Sequence, residues 1–472
     1  MTHKIHGHID GPIVMVGFGS IGRGTLPLIE RHFIYDRTAF TVIEPSSDHA
    51  VFLAEKGIRH LPLALTRENM REVLSGLFPD CKGFVVNLSV DVGSVDMMAL
   101  CQELGVLYID TVVEPWAGHY FETSKGNAAR TNYALREEAR ALARRSVGGP
   151  TAVSCCGANP GMVSWLLKEA LLRLAADCGR AVPAPATREG WAMLMRDLGV
   201  RGLHVSERDT QITARPRPAG VFVNTWSVEG FLAETFQPAE LGWGTHEKKL
   251  PALAHRFDHG PGYAIWIDRP GGETRVRSWC PTDGPQYGLL ITHNEALSIA
   301  DYFTVRNGET VQYRPTCHYA YHPCNDAVLS LYETSGAGVL PEAHHILTAE
   351  EVVSGEDDLG LLIYGHEKGA LWYGSRLTIE RARDLAPGQN ATGLQVTSAV
   401  LAGMVWALEN PRAGIVETDK MDHARCLEVQ RHYLGRIEAH YTDWTPLKNR
   451  INSFPEDRDD SDPWQFSNFL AN

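Results

Sequence analysis

The sequence predicts an α/β protein in which a doubly wound parallel sheet carries an inserted α+β mixed-sheet domain. Three observations lead there. Strand-like and helix-like segments alternate five times within the first 113 residues, with short connections. After about residue 185 the texture changes to period-2 alternation with glycine-containing turns. From about residue 393 a long helical pattern returns.

The elements follow in order. PIVMVGFG (12–19) is an apolar run ending in glycines, the mark of a strand buried on both faces, and the helix IGRGTLPLIERHF follows it. FTVIEP (40–45) is the second strand, then a helix over 47–56 and a short strand in IRHLPLAL. TRENMREVLSGLF reads as a helix capped by Thr66, GFVVNLS (83–89) as a strand, SVDMMALCQELG as a helix closed by Gly105, and VLYIDTVV as the fifth strand. A helix over 126–146 leads to another buried strand, a turn, and a helix beginning near Pro160. GYAIWIDRPG, ETRVRSWCPTDGPQYGLLIT and DYFTVRNGETVQY read as strands of a mixed sheet whose exposed face needs a cover, for which a second subunit is the natural candidate. GLQVTSAVLAGMVWALENP is a long helix closed by Asn410 and Pro411, and the polar NSFPEDRDDSDPWQF reads as a surface arm. The expected division is 1–158, 159–385, 386–435 (a helical return to the first domain) and 436–472 (the arm).

Composition narrows the function. A net charge of −13 argues against nucleic acid, whose phosphates need a basic face, and is compatible with a cationic ligand. The longest apolar runs read as shorter than a membrane span. Nine scattered cysteines read as reduced thiols, and MTHKIHGHIDGP lacks the pattern of a signal peptide, so a cytoplasmic location is the expectation.

Gly17-Phe18-Gly19-Ser20-Ile21-Gly22 follows an apolar strand, opens a helix, and precedes Glu44 at the end of the next strand. That context makes it the Rossmann dinucleotide fingerprint. Gly17 permits the tight turn, Gly19 lets backbone approach a pyrophosphate, and Gly22 lets helix pack on strand. Glu44 accepts from ribose hydroxyls and repels a 2′-phosphate, which favours NAD over NADP. Asn87, Ser89, Asp110, Thr111 and Asn159 follow later strand ends that face the same crevice and are candidates for ribose and nicotinamide contacts.

On the substrate side there is no G-x-S-x-G, and HEKGA at 366 is not a zinc-protease motif. Cys317-His318 with His322 and Cys324 fits no standard zinc spacing, so no metal is expected. Glu114, Glu207, Trp226, Glu234 and His293 remain: carboxylates, an aromatic face and an imidazole. Trp226 and Glu234, eight apart, share a face if NTWSVEGFLAE is helical, and His293 ends an apolar strand. Each taken singly also suits a core or surface role. An alternative is a reductase of amino acids or carboxylated polyamines, which needs Arg275, Arg277 or Arg314 on a substrate carboxylate. A NAD-binding regulator without turnover is the remaining class.

From IVMVGFGSIGRGTLPL through VEPWAG, CCGANPGMVSW, NTWSVEGF and YGLLITHNEALSIADYF to GLQVTSAVLAGMVWALENP, the chain resembles the bacterial homospermidine synthases, within the saccharopine dehydrogenase-like reductases. The resemblance implies an aminoalkyl transfer joining two putrescines with loss of ammonia, spermidine serving as an alternative donor, and NAD held and regenerated within each cycle. It also implies a homodimer. It places Trp226, Glu207, His293 and Glu234 at the chemistry, and Glu114, Asn159, Trp226 and Glu234 around the diamine. Their types suit a dication. An aromatic face attracts an ammonium by roughly 0.5–2 kcal/mol, and a charge-assisted bond to a carboxylate contributes about 1.5–3 kcal/mol. Neither alone offsets desolvation of an ammonium, so a cluster is needed.

Overall fold

The computed structural model describes residues 3–122, 124–451 and 455–471. The first sheet has seven parallel strands in the order Ile415–Glu417, Ala152–Ser154, Leu107–Asp110, Phe84–Asn87, Ile13–Val16, Phe40–Ile43 and Arg59–Leu61. Every residue of Ile13–Val16 is buried, as the unbroken apolar run requires of a strand covered on both faces. Helices Ser20–His32 and Ala391–Glu409 cover one side, and Met70–Leu77 and Ser94–Leu104 the other. Gly24 is what lets the first pair approach: a Cβ there would lie 2.5 Å from Gln389 Oε1.

Several boundaries move. The helix expected from Thr66 starts at Met70, after Asn69, because Thr66 and Asn69 bond each other's backbone in a turn. The helix expected over 126–146 is a short 3-10 turn, Asn127–Arg130, then Asn132–Arg145, capped by Thr131. Asp301 and Tyr302 close helix Asn294–Tyr302 instead of opening a strand. Helix Ala391–Glu409 is long and apolar enough to span a membrane, against the expectation, but 83% of that window is buried inside the protein.

The second sheet is mixed and has eleven strands among the described residues. Its centre is the parallel pair Gly202–Asp209 and Thr316–His322, flanked by the antiparallel hairpin Glu356–His366 and Gly369–Thr378. Period-2 alternation sorts side chains between the faces. Val205, Glu207, Tyr319, Tyr321 and Asp357 share the face turned to the helices, while His204, His318 and Tyr364 take the other.

That other face is covered by the chain's own C-terminus. Of the stretch 436–472, expected as a surface arm, residues 452–454 and 472 lie outside the described residues, and the rest supplies strand Arg436–Thr442, with Trp464, Phe466 and Phe469 packing on Leu362, Tyr364 and Trp372. Leu470–Ala471 adds a short strand beside Arg275–Cys280. The acidic stretch hides the reason: WQFSNFL carries three aromatic rings whose burial outweighs the polarity of EDRDDSD. A buried clamp joins the two sheets. Arg136, on Asn132–Arg145, donates to Glu417 at 2.6 Å and to Asp301 at 3.2 Å.

Candidate active site

The glycine loop has the shape its spacing requires. Gly17 has φ +87°, where L side chains are strained. A Cβ on Gly22 would lie 2.6 Å from the Gly17 carbonyl oxygen, so helix and strand close only around glycine. At Gly19 nothing lies within 4 Å of a Cβ, leaving the open approach a pyrophosphate needs. Gly19 is also the N-cap of Ser20–His32 with no side-chain cap, so the first N–H groups of that helix are free for an anion. Glu44 accepts from Phe18 N–H at 2.8 Å and Ser46 N–H at 3.0 Å, holding the loop, and each oxygen keeps a lone pair for a ribose hydroxyl.

The later strand ends divide. Asn87 accepts from the Ser89 hydroxyl at 2.6 Å and donates to Tyr108, and both stand at the crevice. The Asp110 carboxylate is engaged: it accepts from Cys155 N–H at 2.6 Å and from the Tyr108 hydroxyl at 2.8 Å. Burial raises it to about 7. It shapes the Cys155–Gly161 turn, in which Cys155 has φ +59°. Thr111 lies against Gly157 in the same turn. Asn159 is carried across to the second sheet, where its amide donates to Glu207 at 3.1 Å.

Where the two sheets face each other lies a cleft lined by Glu114, Tyr120, Asn132, Pro160, Glu234 and His293, among others. Glu114 follows the fifth strand. Its backbone N–H donates to the Ser94 hydroxyl at 3.0 Å, and its carbonyl accepts from Ser94 N–H at 2.8 Å, so the loop is pinned to the start of Ser94–Leu104. Its carboxylate has no hydrogen-bonded partner among the described residues. Burial, with Glu234, Asp91 and Asp110 nearby, pushes it up to about 8. Glu234 sits on Val228–Phe236. His293 is the N-cap residue of Asn294–Tyr302, four residues past strand Gly284–Leu289, which ends at Leu289 short of the position expected. Its Nε2 lies 3.1 Å from Glu234 and its Nδ1 3.2 Å from Glu295. Burial pulls the imidazole down, but these two carboxylates outweigh it and hold His293 well above its ordinary range.

The deeper wall is the shared face of the second sheet. Glu207 accepts from the Tyr319 hydroxyl at 2.6 Å, and the His293 and Tyr319 rings lie 4.5 Å apart. Burial raises Glu207 above the carboxylate range, with Asp209 adding to it and the Tyr319 bond opposing it. Tyr321 lies opposite Glu207 in register and stacks on Tyr319 at 5.2 Å. Trp226 closes this wall, its indole N–H donating to the Tyr321 hydroxyl at 2.9 Å. Trp226 precedes helix Val228–Phe236, whose cap is Ser227, so the one-face argument from a spacing of eight does not apply. Trp226 is held by Tyr321 and Glu234 by His293, and Gly230 leaves room for the indole ring (a Cβ would lie 3.2 Å from it).

Glu114, Glu234 and His293 thus line one cleft, Glu207 and Trp226 stand behind it through Tyr319 and Tyr321, and Asn159 links Glu207 to the dinucleotide side. Sequence reasoning missed Tyr319, Tyr321, Glu295 and Asp357. The tyrosines carried a signal, since TCHYAYH spaces them by two on a strand. Asp357 is buried and faces Asp209 across the ladder. The residues a substrate carboxylate would need lie elsewhere. Arg314 donates to the Gly262 carbonyl at 2.9 Å, Arg277 pairs with Glu456, and Arg275 is exposed on an outer strand. Cys317 and His318 alternate to opposite faces of their strand.

Two family models cover the chain: the saccharopine dehydrogenase NADP binding domain over residues 13–153 and the saccharopine dehydrogenase C-terminal domain over 157–443. The homospermidine synthase of Mesorhizobium japonicum is 60% identical across 99% of this chain and 98% of its own length. The chain belongs to the homospermidine synthase family. Blastochloris viridis has another relative of that name, again 60% identical over 99% of this chain and 98% of its own. The homospermidine synthase of Legionella pneumophila, solved in complex with NAD, superposes with a TM-score of 0.92 at 40% identity over all of both chains. Yeast saccharopine dehydrogenase shares the fold at a TM-score of 0.51 and 9% identity, over 92% of this chain and 100% of its own. The matched nucleotide-domain model is named for NADP, whereas the Legionella pneumophila relative was solved with NAD and Glu44 is the acid that the loop holds through Phe18 N–H. Within the family, Glu44 is the feature that speaks for NAD.

Proposed function

We propose that this protein is a NAD-dependent aminobutyl transferase that joins two putrescines into homospermidine with release of ammonia, or takes the aminobutyl group from spermidine with release of diaminopropane, with no net redox. The observation that carries this beyond family membership is the cleft. It is lined by Glu114, Glu234, His293 and Tyr120 with no arginine or lysine among the described residues, and it lies just past strand Leu107–Asp110 of the nucleotide sheet. NAD, when bound, supplies hydride acceptance from the carbon bearing the amine and returns the hydride to the new carbon–nitrogen double bond.

The chain's own residues do the rest. Glu114 and Glu234 hold the ammonium that must stay charged. A cation reaching Glu114 favours its ionised form, so diamine binding at neutral pH releases a proton from a carboxyl raised to about 8. Trp226 and the tyrosine wall shield a cationic imine from water and attract it by about 0.5–2 kcal/mol. Glu207, oriented by Tyr319 and Asn159, and His293, flanked by Glu234 and Glu295, are the proton-transfer groups. The amine gives up its proton before hydride leaves, since a free alkylamine titrates near lysine's value, about 10.4.

The reading includes domain boundaries at 158/159, 385/386 and 435/436, NAD kept through each cycle, and a cytoplasmic setting. The last is supported by nine free cysteines, most of them buried. It also includes a homodimer, for which exposed Leu329, Tyr332, Val339 and Leu340, on and after helix Asn325–Ala337, offer an apolar strip.

The test is stoichiometric. With putrescine in excess and a trace of NAD, ammonia and homospermidine should far exceed the NAD supplied, without steady accumulation of reduced nicotinamide. Reduced nicotinamide rising one-for-one with product would make the protein a simple amine dehydrogenase and end this reading.

A further inference from the structure

His293 is the residue of the cleft whose two nitrogens are treated differently. Nδ1 is hydrogen-bonded to Glu295 at 3.2 Å. Nε2 lies 3.1 Å from Glu234 but outside hydrogen-bonding geometry, so it is a buried nitrogen with no hydrogen-bond partner, beside the cleft. Glu295 is only 1% exposed and has no place at the substrate. It stands behind the imidazole, one oxygen on Nδ1 and the other unpartnered. The groups facing this pair from neighbouring elements are Glu234 on Val228–Phe236, Glu207 on Gly202–Asp209, and Tyr319 and Cys317 on Thr316–His322. A buried carboxylate on one imidazole nitrogen, with the other nitrogen open to a ligand, is the arrangement that selects a tautomer.

We propose that Glu295 is a positioning residue for His293: it keeps the proton on Nδ1 and turns Nε2 to the cleft, where Nε2 exchanges a proton with the substrate amine that is to be oxidised. This rests on the aminobutyl-transfer reading above. In the empty site His293 holds Glu234 as its counter-ion. An ammonium docking on Glu234 competes for that carboxylate, and the imidazolium releases its Nε2 proton to water at the cleft mouth. The amine to be oxidised then breaks an N–H bond as one forms at Nε2, the lone pair staying on the amine nitrogen. The secondary amine of the product takes a proton back after reduction. Without Glu295 the ring can rotate or change tautomer, and Nε2 is no longer reliably the free nitrogen.

Glu295→Gln in the full-length, NAD-loaded enzyme is the direct test. The expected result is a kcat lowered roughly 10²- to 10⁴-fold, the range seen when a tautomer-fixing carboxylate is neutralised elsewhere. The putrescine KM should stay within about threefold, since no ground-state contact is lost. The acid limb of the pH–rate profile should move to lower pH, because the imidazole loses a neighbouring negative charge, and Glu295→Asp should recover part of kcat. A fall in kcat and KM together with an unchanged pH profile, or full activity in Glu295→Gln, would overturn the proposal. A second measurement needs neither turnover nor that variant. In wild-type protein labelled with ¹⁵N-histidine, the His293 signal, assigned by its loss in His293→Gln, should report a protonated Nδ1 through neutral pH. A proton found on Nε2 with Nδ1 bare would overturn the proposal. If wild-type protein made no homospermidine at all, the transfer reading would fall, and this spectrum alone would decide the role of Glu295.

Discussion

Glu240 and Glu114 are both buried glutamates raised to about 8, yet they sit in regions built for different ends. Glu240 stands at the start of helix Asn132–Arg145 and accepts from Asn132 N–H at 3.1 Å, Tyr133 N–H at 3.0 Å and the Thr292 hydroxyl at 2.8 Å. Burial raises it while these three bonds oppose the rise. Glu114 has the same burial, no bonded partner, and other acids, Glu234 first, as neighbours. A saturated acid at a helix start is structure, because its charge is already answered by backbone dipoles. An unsaturated acid in a cleft carries a cost that only a cation from outside relieves. Asp110 belongs with Glu240, and Glu234 stands between the two kinds, since His293 lies 3.1 Å from it as a counter-ion within the protein.

The contrast can be broken or sharpened by substitution, beginning where the effect should be greatest. Glu207→Ala should lower kcat by roughly 10²- to 10⁴-fold, the span of a lost proton-transfer group, while the Kd for NAD stays unchanged by titration calorimetry. A parallel loss of NAD binding would make Glu207 a support for the dinucleotide side. Glu114→Gln should raise the putrescine KM roughly 10- to 100-fold, the equivalent of one charge-assisted bond of about 1.5–3 kcal/mol. Its Tm should not fall, because a buried group that resists ionisation is replaced by a neutral one. Trp226→Ala should cost roughly 2- to 30-fold in kcat/KM from the lost cation–π face, with Trp226→Phe intermediate and NAD affinity intact. Equal losses in turnover and NAD binding would sink its assigned role.

How much of this was legible follows the same divide. The dinucleotide cradle is local: Gly17, Gly19, Gly22 and Glu44 lie on two consecutive strand–helix units, so spacing alone reports it. The candidate site draws Glu114, Glu207, Trp226, Glu234 and His293 from four separate segments, and its assembly was readable only through the family's motifs. Even then the one-face spacing of Trp226 and Glu234 does not hold, since Trp226 lies before its helix and not on it. Glu295 and Asp357 were out of reach because nothing in sequence separates a buried carboxylate from a surface one. The C-terminus misled in the opposite sense: polarity of EDRDDSD masked the aromatic anchors that follow it.

Smaller effects should separate the two kinds of acid by pH. A carboxyl raised in the folded state is protonated there and ionised when unfolded, so stability falls as pH rises from the ordinary value, about 4.3, to the folded one, and is flat above it. With Glu114 and Glu240 both at about 8, the Tm of ligand-free protein should decline between about pH 5 and 8. Glu114→Gln should flatten part of that slope. Saturating putrescine should flatten it further in wild type, as Glu114 ionises in the complex. Glu240→Gln should leave kcat and KM unchanged but lower Tm by a few degrees, the cost of weakening one buried acceptor, about 1–3 kcal/mol.

The central claim, that the acids of the cleft exist for a diamine, is tested most directly by an experimental structure of the protein with NAD and putrescine. The account predicts one putrescine nitrogen within hydrogen-bonding distance of Glu114 or Glu234, its carbon chain against Trp226, and Glu240 still bonded to Asn132, Tyr133 and Thr292. A diamine bound away from these carboxylates, or Glu114 and Glu234 satisfied by protein groups with putrescine present, would contradict it.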